Sequence, residues 1–313
     1  MTDSIKTPLG SLTTEARNPL TRELDNLSAL EIVKLINSED QKVALAVRDV
    51  SESIALAIDV IADRLSGGGR LIYMGAGTSG RLGVLDAVEC PPTFNTDPDL
   101  VHGLIAGGRE GLVRAVEGAE DSVEMGRMDL QKIILDKQDV VVGIAASGRT
   151  PYVIGGLDYA RSVGAYAIGF SCNQDAELMP HADLNIIPVV GPEVLSGSTR
   201  LKAGTATKMV LNMLTTGAMV RMGKTYSNLM VDLQATNLKL GERAARIVEA
   251  LTVCNLSEAG VLLDRCDGEV KTAIVSQNLN ISPADARARL RSQKGHLRQA
   301  LVPANTTVSA KSV

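Results

Sequence analysis

Three short stretches gather glycine, hydroxyl and cationic side chains at spacings suited to holding a phosphate. The first is Gly75-Ala-Gly77-Thr78-Ser79-Gly80-Arg81, the second Ala146-Ser147-Gly148-Arg149-Thr150-Pro151, and the third Ser196-Gly-Ser198-Thr199-Arg-Leu-Lys202. Glycine lets backbone amides approach an anion, amides at a helix start point toward it, and Ser or Thr adds donors. The candidate phosphate ligands are therefore Gly77, Thr78 and Ser79, then Ser147, Gly148, Arg149 and Thr150, then Ser198, Thr199 and Lys202.

The first stretch also matches GxGxxG between a strand and a helix, the setting of a dinucleotide fingerprint. That fingerprint needs an acidic residue at the end of the next strand to hold a ribose. Here the next strand ends Leu104-Ile-Ala-Gly-Gly108, and Asp97 and Asp99 precede it, at the wrong end of the sheet. A monophosphate cradle fits better. An isolated Ser or Thr before a helix is ordinarily only a cap. Two Ser-Gly-Arg turns at the carboxyl edge of one sheet, where open α/β folds bind ligands, shift the balance toward a shared pocket. For the third stretch the alternative is an ordinary cap with solvated Arg200 and Lys202.

Hydrophobic periodicity supplies the elements that must position these turns. Residues 1–25 read as a polar arm or loop, and 28–65 as two helices with apolar residues at helical spacing. Residues 70–74 read as a strand and 79–88 as a helix, 100–106 as a strand and 110–125 as a helix, and 139–146 as a strand and 151–163 as a helix. Two more apolar runs, 165–170 and 184–190, complete a five-stranded parallel sheet of the α/β class. A long helix is expected over 198–222. Beyond residue 224 the pattern is wholly helical, with Ser282 and Pro283 as N-cap and first helical residue. The expected organisation is an N-terminal arm and helices over 1–54, a sheet domain over 55–223, a small helical domain over 240–302 and a frayed tail in the last ten residues.

The 313 residues suffice for such a domain with helical additions. Apolar residues make up 45% of the chain and aromatics only 2%, so the core must consist of Ala, Val, Ile, Leu and Met. A net charge of -4, with scattered basic residues, excludes broad attraction for nucleic acid. No apolar segment approaches the roughly 20 residues of a membrane helix, and none follows the first basic residue as in a signal peptide. A soluble cytoplasmic protein is expected. Cys90, Cys172, Cys254 and Cys266 lack CxxC spacing, and His102, His181 and His296 sit in no metal motif, so neither a metal nor a cofactor is expected.

Taken together, these residues resemble the sugar isomerase (SIS) fold, a nucleotide-free, flavodoxin-like unit in which serine-rich turns hold a sugar phosphate. Within it the chain closely resembles the N-acetylmuramic acid 6-phosphate etherase family. The resemblance covers nearly the whole chain. It is carried by Leu12-Thr-Thr-Glu-Ala-Arg-Asn18, the turn from Gly75 to Gly83, Glu89-Cys-Pro-Pro-Thr-Phe94, Val116-Glu-Gly-Ala-Glu-Asp121, Gly143 to Tyr152, Thr199 to Thr205 and Asn228-Leu-Met-Val-Asp232. The Glu-Cys-Pro-Pro-Thr and Glu-Gly-Ala-Glu-Asp strings are the most specific.

The resemblance implies cleavage of N-acetylmuramic acid 6-phosphate to N-acetylglucosamine 6-phosphate and D-lactate during cell-wall sugar recycling. In the ring-opened sugar the C1 aldehyde acidifies the C2 proton, lactate leaves C3 by elimination, and water adds back. Each half requires a base at C2 and an acid at the C3 oxygen. Glu89 and Glu120 occupy the positions of the family's catalytic pair, with Glu89 assigned as acid and Glu120 as base. From the residues alone, Glu89 reads as a solvated group at a helix end before Pro91-Pro92. Glu117, Glu120, Asp121 and Glu124 likewise read as a solvated acidic stripe on a helix.

The rivals are an aldose-ketose phosphate isomerase using the same turns, and a non-catalytic sugar-phosphate sensor. Apolar helices over 28–65 and 199–222 exceed what one sheet covers, so a homodimer is expected.

Overall fold

The computed structural model describes residues 12–114, 116–233 and 238–302 of the chain. Five short segments become strands; the inner ones read as apolar runs, because a strand covered by helices on both faces has no polar side, while the two at the sheet edges include His102 and Asn185. They are β1 (Leu71–Gly75), β2 (Val101–Ile105), β3 (Val140–Ile144), β4 (Tyr166–Phe170) and β5 (Leu184–Ile186). All pair in parallel, in the order β2-β1-β3-β4-β5. β1 and β3 are buried at every position, and each fully buried Leu, Ile or Met contributes roughly 1.5–3 kcal/mol. The parallel α/β expectation holds, with β5 ending at Ile186 rather than Val190.

β1 connects to β2 on one side of the sheet, and β3 to β4 on the other. The chain therefore reverses its winding between β1 and β3, and the crevice beyond their carboxyl ends is the ligand position of open α/β sheets.

Helices α1 (Ala29–Arg48) and α2 (Ser51–Ser66) match the two expected before the sheet. Ser28 and Glu31 close a capping box at the start of α1. Helix α3 (Gly77–Phe94) runs beyond Val88 and through Pro91 and Pro92. Those prolines deprive the carbonyls of Ala87 and Val88 of their donors four residues on, so the hydrogen-bond ladder is interrupted near the end of the helix. Asn95 then stops it with φ 49°. Glu89 is therefore inside a helix, not at its end.

The single helix expected over 110–125 is two, α4 (Gly108–Val113) and α5 (Val123–Lys132). Gly118, at φ 72°, breaks the helical path, and Ser122 starts α5 by accepting the amide of Met125. The expected helical stripe is thus a loop carrying Glu117, Glu120 and Asp121, with only Glu124 helical. Helix α6 (Pro151–Ser162) follows β3, and α7 (Lys202–Arg221) begins at Lys202 rather than Ser198. The described part of the expected N-terminal arm is not loose. Leu12, Thr14 and Asn18 are buried, and two short 3-10 turns, Pro19–Thr21 and Leu24–Asn26, follow.

Among the described residues the backbone divides into two compact units, residues 12–88 with 98–217, and 89–97 with 218–302. The second contains α8 (Leu238–Leu251), α9 (Leu256–Arg265), α10 (Val270–Leu279), α11 (Pro283–Ser292) and α12 (Leu297–Ala300). Val248, Ile274 and Val275 are fully buried in a core of its own. Ser282 caps α11 by accepting the amide of Asp285, with Pro283 at the first turn as expected. The expected C-terminal tail lies outside the described residues. No helix among the described residues is long and apolar enough to cross a membrane.

Candidate active site

The two Ser-Gly-Arg turns leave adjacent strands, since Gly75 of β1 pairs with Ile144 of β3. The first turn is sharp because Gly80 lies against its own strand: a Cβ there would stand 2.6 Å from the carbonyl oxygen of Gly75. This close approach sets the first amides of α3 directly above the strand end, with Gly77 exposed and Thr78 and Ser79 half-buried. A Cβ on Gly204 of α7 would come within 3.7 Å of the Thr78 methyl and 3.6 Å of the Thr199 carbonyl oxygen. Parts of the first and third stretches are therefore neighbours.

The second turn depends on Gly148, whose φ is 74° and whose Cβ would fall 2.3 Å from that of Ala176. Ser147, Arg149 and Thr150 are half-buried. Thr150 holds the N-cap position of α6 without making a capping hydrogen bond. The turn is anchored through the Ala146 carbonyl, which accepts from the Cys172 amide at 3.0 Å, Asn173 Nδ2 at 3.0 Å and Ser171 Oγ at 3.3 Å. Asn173 in turn binds Thr14, accepting its amide at 3.2 Å and donating to its hydroxyl at 3.1 Å. This network is what docks the N-terminal segment.

Three cations of these stretches have partners within the protein. Arg149 is paired with Glu177 at 3.0 Å. Arg81 donates to the carbonyls of Gly111 and Leu112, both at 2.8 Å, and ties α3 to the end of α4. Lys202 is 1% exposed, and its Nζ lies 2.7 Å from Glu39 Oε2. Desolvating an ammonium favours such a buried carboxylate partner. Nor is the start of α7 free, because Glu193 accepts the amides of Lys202 and Ala203, both at 2.9 Å. Ser198 and Thr199 remain half-buried in the preceding turn.

Burial acts on both carboxylates of this cluster. It would raise the pKa of Glu39, but hydrogen bonds from Lys202, Lys42 and Asn18 outweigh it and hold the value at about 2. Glu193 is pushed upward, because its burial outweighs the two amides and the Lys202 charge.

Glu120 is exposed on the loop between α4 and α5, and its carbonyl accepts the Tyr152 amide of α6 at 3.0 Å. It helps to line a cavity of about 320 Å³ together with Gly77, Arg81, Arg114, Glu117 and Gly118. Glu120 and Gly77 of the first turn thus share one hollow. Glu89 is exposed on α3 and belongs to the second unit. Its neighbour Cys90 is 3% exposed, in keeping with a packing role.

The sequence matches the model of the glucokinase regulatory protein N-terminal SIS domain over residues 53–161, and the SIS domain model over 118–217. It is 60% identical to the N-acetylmuramic acid 6-phosphate etherase of Rhodopirellula baltica over 293 residues, covering 94% of this chain and 97% of that protein. The chain belongs to the N-acetylmuramic acid 6-phosphate etherase family. A second etherase, from Vibrio parahaemolyticus, is 54% identical over 95% of this chain and 99% of its own. Among solved structures, a phosphoheptose isomerase from Francisella tularensis aligns with a TM-score of 0.46 and 14% identity, over 62% of this chain and all of that one.

In this etherase-family chain, the residues that reading the sequence missed are Glu39, Glu193, Asn173 and Thr14. They support turns rather than face the crevice. No local signal marks them, because Thr14 and Asn173 are 159 positions apart and Glu39 and Lys202 are 163 apart.

Proposed function

We propose that the chain cleaves the D-lactyl ether of N-acetylmuramic acid 6-phosphate, giving N-acetylglucosamine 6-phosphate and D-lactate. The observation that carries this reading is the 60% identity, over nearly the full length of both chains, to a protein of that name. The pairing of β1 with β3, which sets both serine-bearing turns at one switch point, supports it.

In this reading the 6-phosphate is held by backbone amides and hydroxyls of Gly77, Thr78, Ser79, Ser147, Gly148 and Thr150, with Ser198 and Thr199 completing the cradle. Glu120 takes the C2 proton of the open-chain sugar. The electron pair forms the C2–C3 double bond, the C3–O bond breaks, and Glu89 protonates the departing lactyl oxygen. Water then adds at C3 and a proton returns to C2. The net change is uptake of one water, and the protein needs only paired acid and base groups.

The chain works in the cytoplasm as a homodimer, with residues 55–223 as the sugar-phosphate domain and 240–302 as a separate helical domain. Support for the dimer comes from an open apolar groove between α2 and α7, lined by Ile54, Ile58, Met209 and Met213. Light scattering at micromolar concentration should report twice the chain mass.

Incubation of the purified protein with N-acetylmuramic acid 6-phosphate, followed by enzymatic assay of D-lactate, tests the activity. In D₂O the product should carry deuterium at C2. Aldose-ketose interconversion without lactate would leave the isomerase reading standing instead, and binding without any turnover would leave the sensor.

A further inference from the structure

A hollow in the second unit has no role in the reaction proposed above. It measures about 860 Å³ and is lined by Asn95, Asp232, Lys271, Thr272, Arg287 and Arg291, among others. Its wall charges are unevenly matched. Arg287 donates to Asp267 and Glu269, which are 79% and 48% exposed, so water screens what remains of that acidic pair. At Asp232 the excess is of the other sign and less screened. A single oxygen, Asp232 Oδ2, serves Lys224 Nζ at 2.9 Å and Lys271 Nζ at 3.1 Å. The Lys271 side chain is only 10% exposed. Two ammonium groups on one carboxylate leave a positive charge where the local dielectric is low.

Two further features face the same hollow. Lys271 and Thr272 stand in the first turn of α10, whose N-cap residue Glu269 makes no side-chain cap. The Glu269 carboxylate is held instead by Arg287 and by the Thr272 hydroxyl at 2.6 Å. The first amides of the helix therefore lack an acceptor from its cap residue, and their dipoles add to the positive field. Arg291, one turn beyond Arg287 on α11, forms no ion pair among the described residues. Burial lowers the Lys271 pKa, as expected of an ammonium whose charge is incompletely compensated.

We propose that the helical unit carries a second ligand site, in which Lys271, Arg291 and the first turn of α10 bind a small oxyanion, a carboxylate or a phosphate. The residues that line the site all belong to the second unit. Asn95 on its wall ends α3, the helix that carries Glu89. The hollow thus borders the end of that helix.

Equilibrium dialysis of the full-length chain against inorganic phosphate, and separately against D-lactate, tests the proposal. In the Ser79→Ala/Ser147→Ala double variant, which weakens the crevice, one anion should still bind per chain. Adding Arg291→Gln should raise its dissociation constant about tenfold, the effect of losing one charge-assisted contact. Adding Lys271→Met should abolish binding. Arg291 is exposed, so its substitution keeps the test valid even if Lys271→Met fails to fold. Displacement of phosphate by D-lactate would mark a carboxylate site, and lack of displacement a phosphate site. The inference is overturned if the double variant binds neither anion, or if Arg291→Gln leaves its binding unchanged. A chain that binds the second anion but releases no lactate would refute the proposed reaction and leave this site in place.

Discussion

The backbone amide of Tyr152 donates to the carbonyl oxygen of Glu120 at 3.0 Å. This one bond satisfies an amide that the start of α6 would otherwise leave without a partner. It also ties the loop bearing a catalytic candidate to the helix that follows the Ser147 turn. The Tyr152 side chain strengthens the tie, donating from its hydroxyl to Asp129 on α5 at 2.9 Å.

If that loop must be held in place, disturbing its backbone should slow the reaction more than it destabilises the fold. Gly118 has φ 72° and open space where a Cβ would stand. Gly118→Val should cost roughly 1–2 kcal/mol of stability through left-handed strain alone, while kcat for lactate release falls about tenfold or more. Denaturant unfolding and the lactate assay measure the two effects. An unchanged kcat would show that the position of the loop does not matter.

Glu89→Gln and Glu120→Gln keep size and polarity but cannot transfer a proton. Each should lower lactate release by about 10²- to 10⁴-fold and leave the affinity for a non-reactive sugar 6-phosphate nearly as it is. Loss of that affinity in both variants would count against catalytic roles.

Ser147 and Lys202 should respond in opposite ways. Ser147→Ala removes a half-buried hydroxyl from the phosphate turn and should raise KM about tenfold, with little change in melting temperature. Lys202→Met leaves Glu39 buried without its main cation, which should cost on the order of 3–5 kcal/mol of stability. The KM of whatever Lys202→Met protein folds should stay near the wild-type value. A large KM effect at Lys202 would make it a substrate ligand.

Stability should fall in acid through Glu39. Its folded pKa is about 2, against 4.5 for the free group. The stabilisation is therefore complete above the unfolded value and is lost as pH drops from about 4.5 toward 2, on the order of 3 kcal/mol in all. Glu193, whose pKa is raised, acts in the opposite sense and recovers part of this loss as it takes up a proton. Unfolding free energies measured across that range should show a smaller decline for Glu39→Gln than for the parent chain. Equal declines would place the acid sensitivity elsewhere.

Much of the sheet was legible in advance, because a strand buried on both faces needs an unbroken apolar run, and 140–144 and 166–170 are such runs. The place of the serine-bearing turns between strand and helix was legible too, since Gly and Ser between an apolar run and a helical pattern mark a turn. Helix ends were read less well. A left-handed Gly118 and the Ser122 cap divide what 3.6-residue periodicity joins, and α3 passes through Pro91 and Pro92, which sequence rules treat as a stop.

What the chain alone determined was thus the kind of each element and the chemistry of its turns, because periodicity, capping and side-chain type act over a few residues. Only the tertiary structure decided that Lys202 turns inward to Glu39, that Arg81 and Arg149 are engaged within the protein, and that Thr14 and Asn173 brace the second turn. Those outcomes rest on the cost of burying a polar or charged group without a partner, and the partner lies far along the chain.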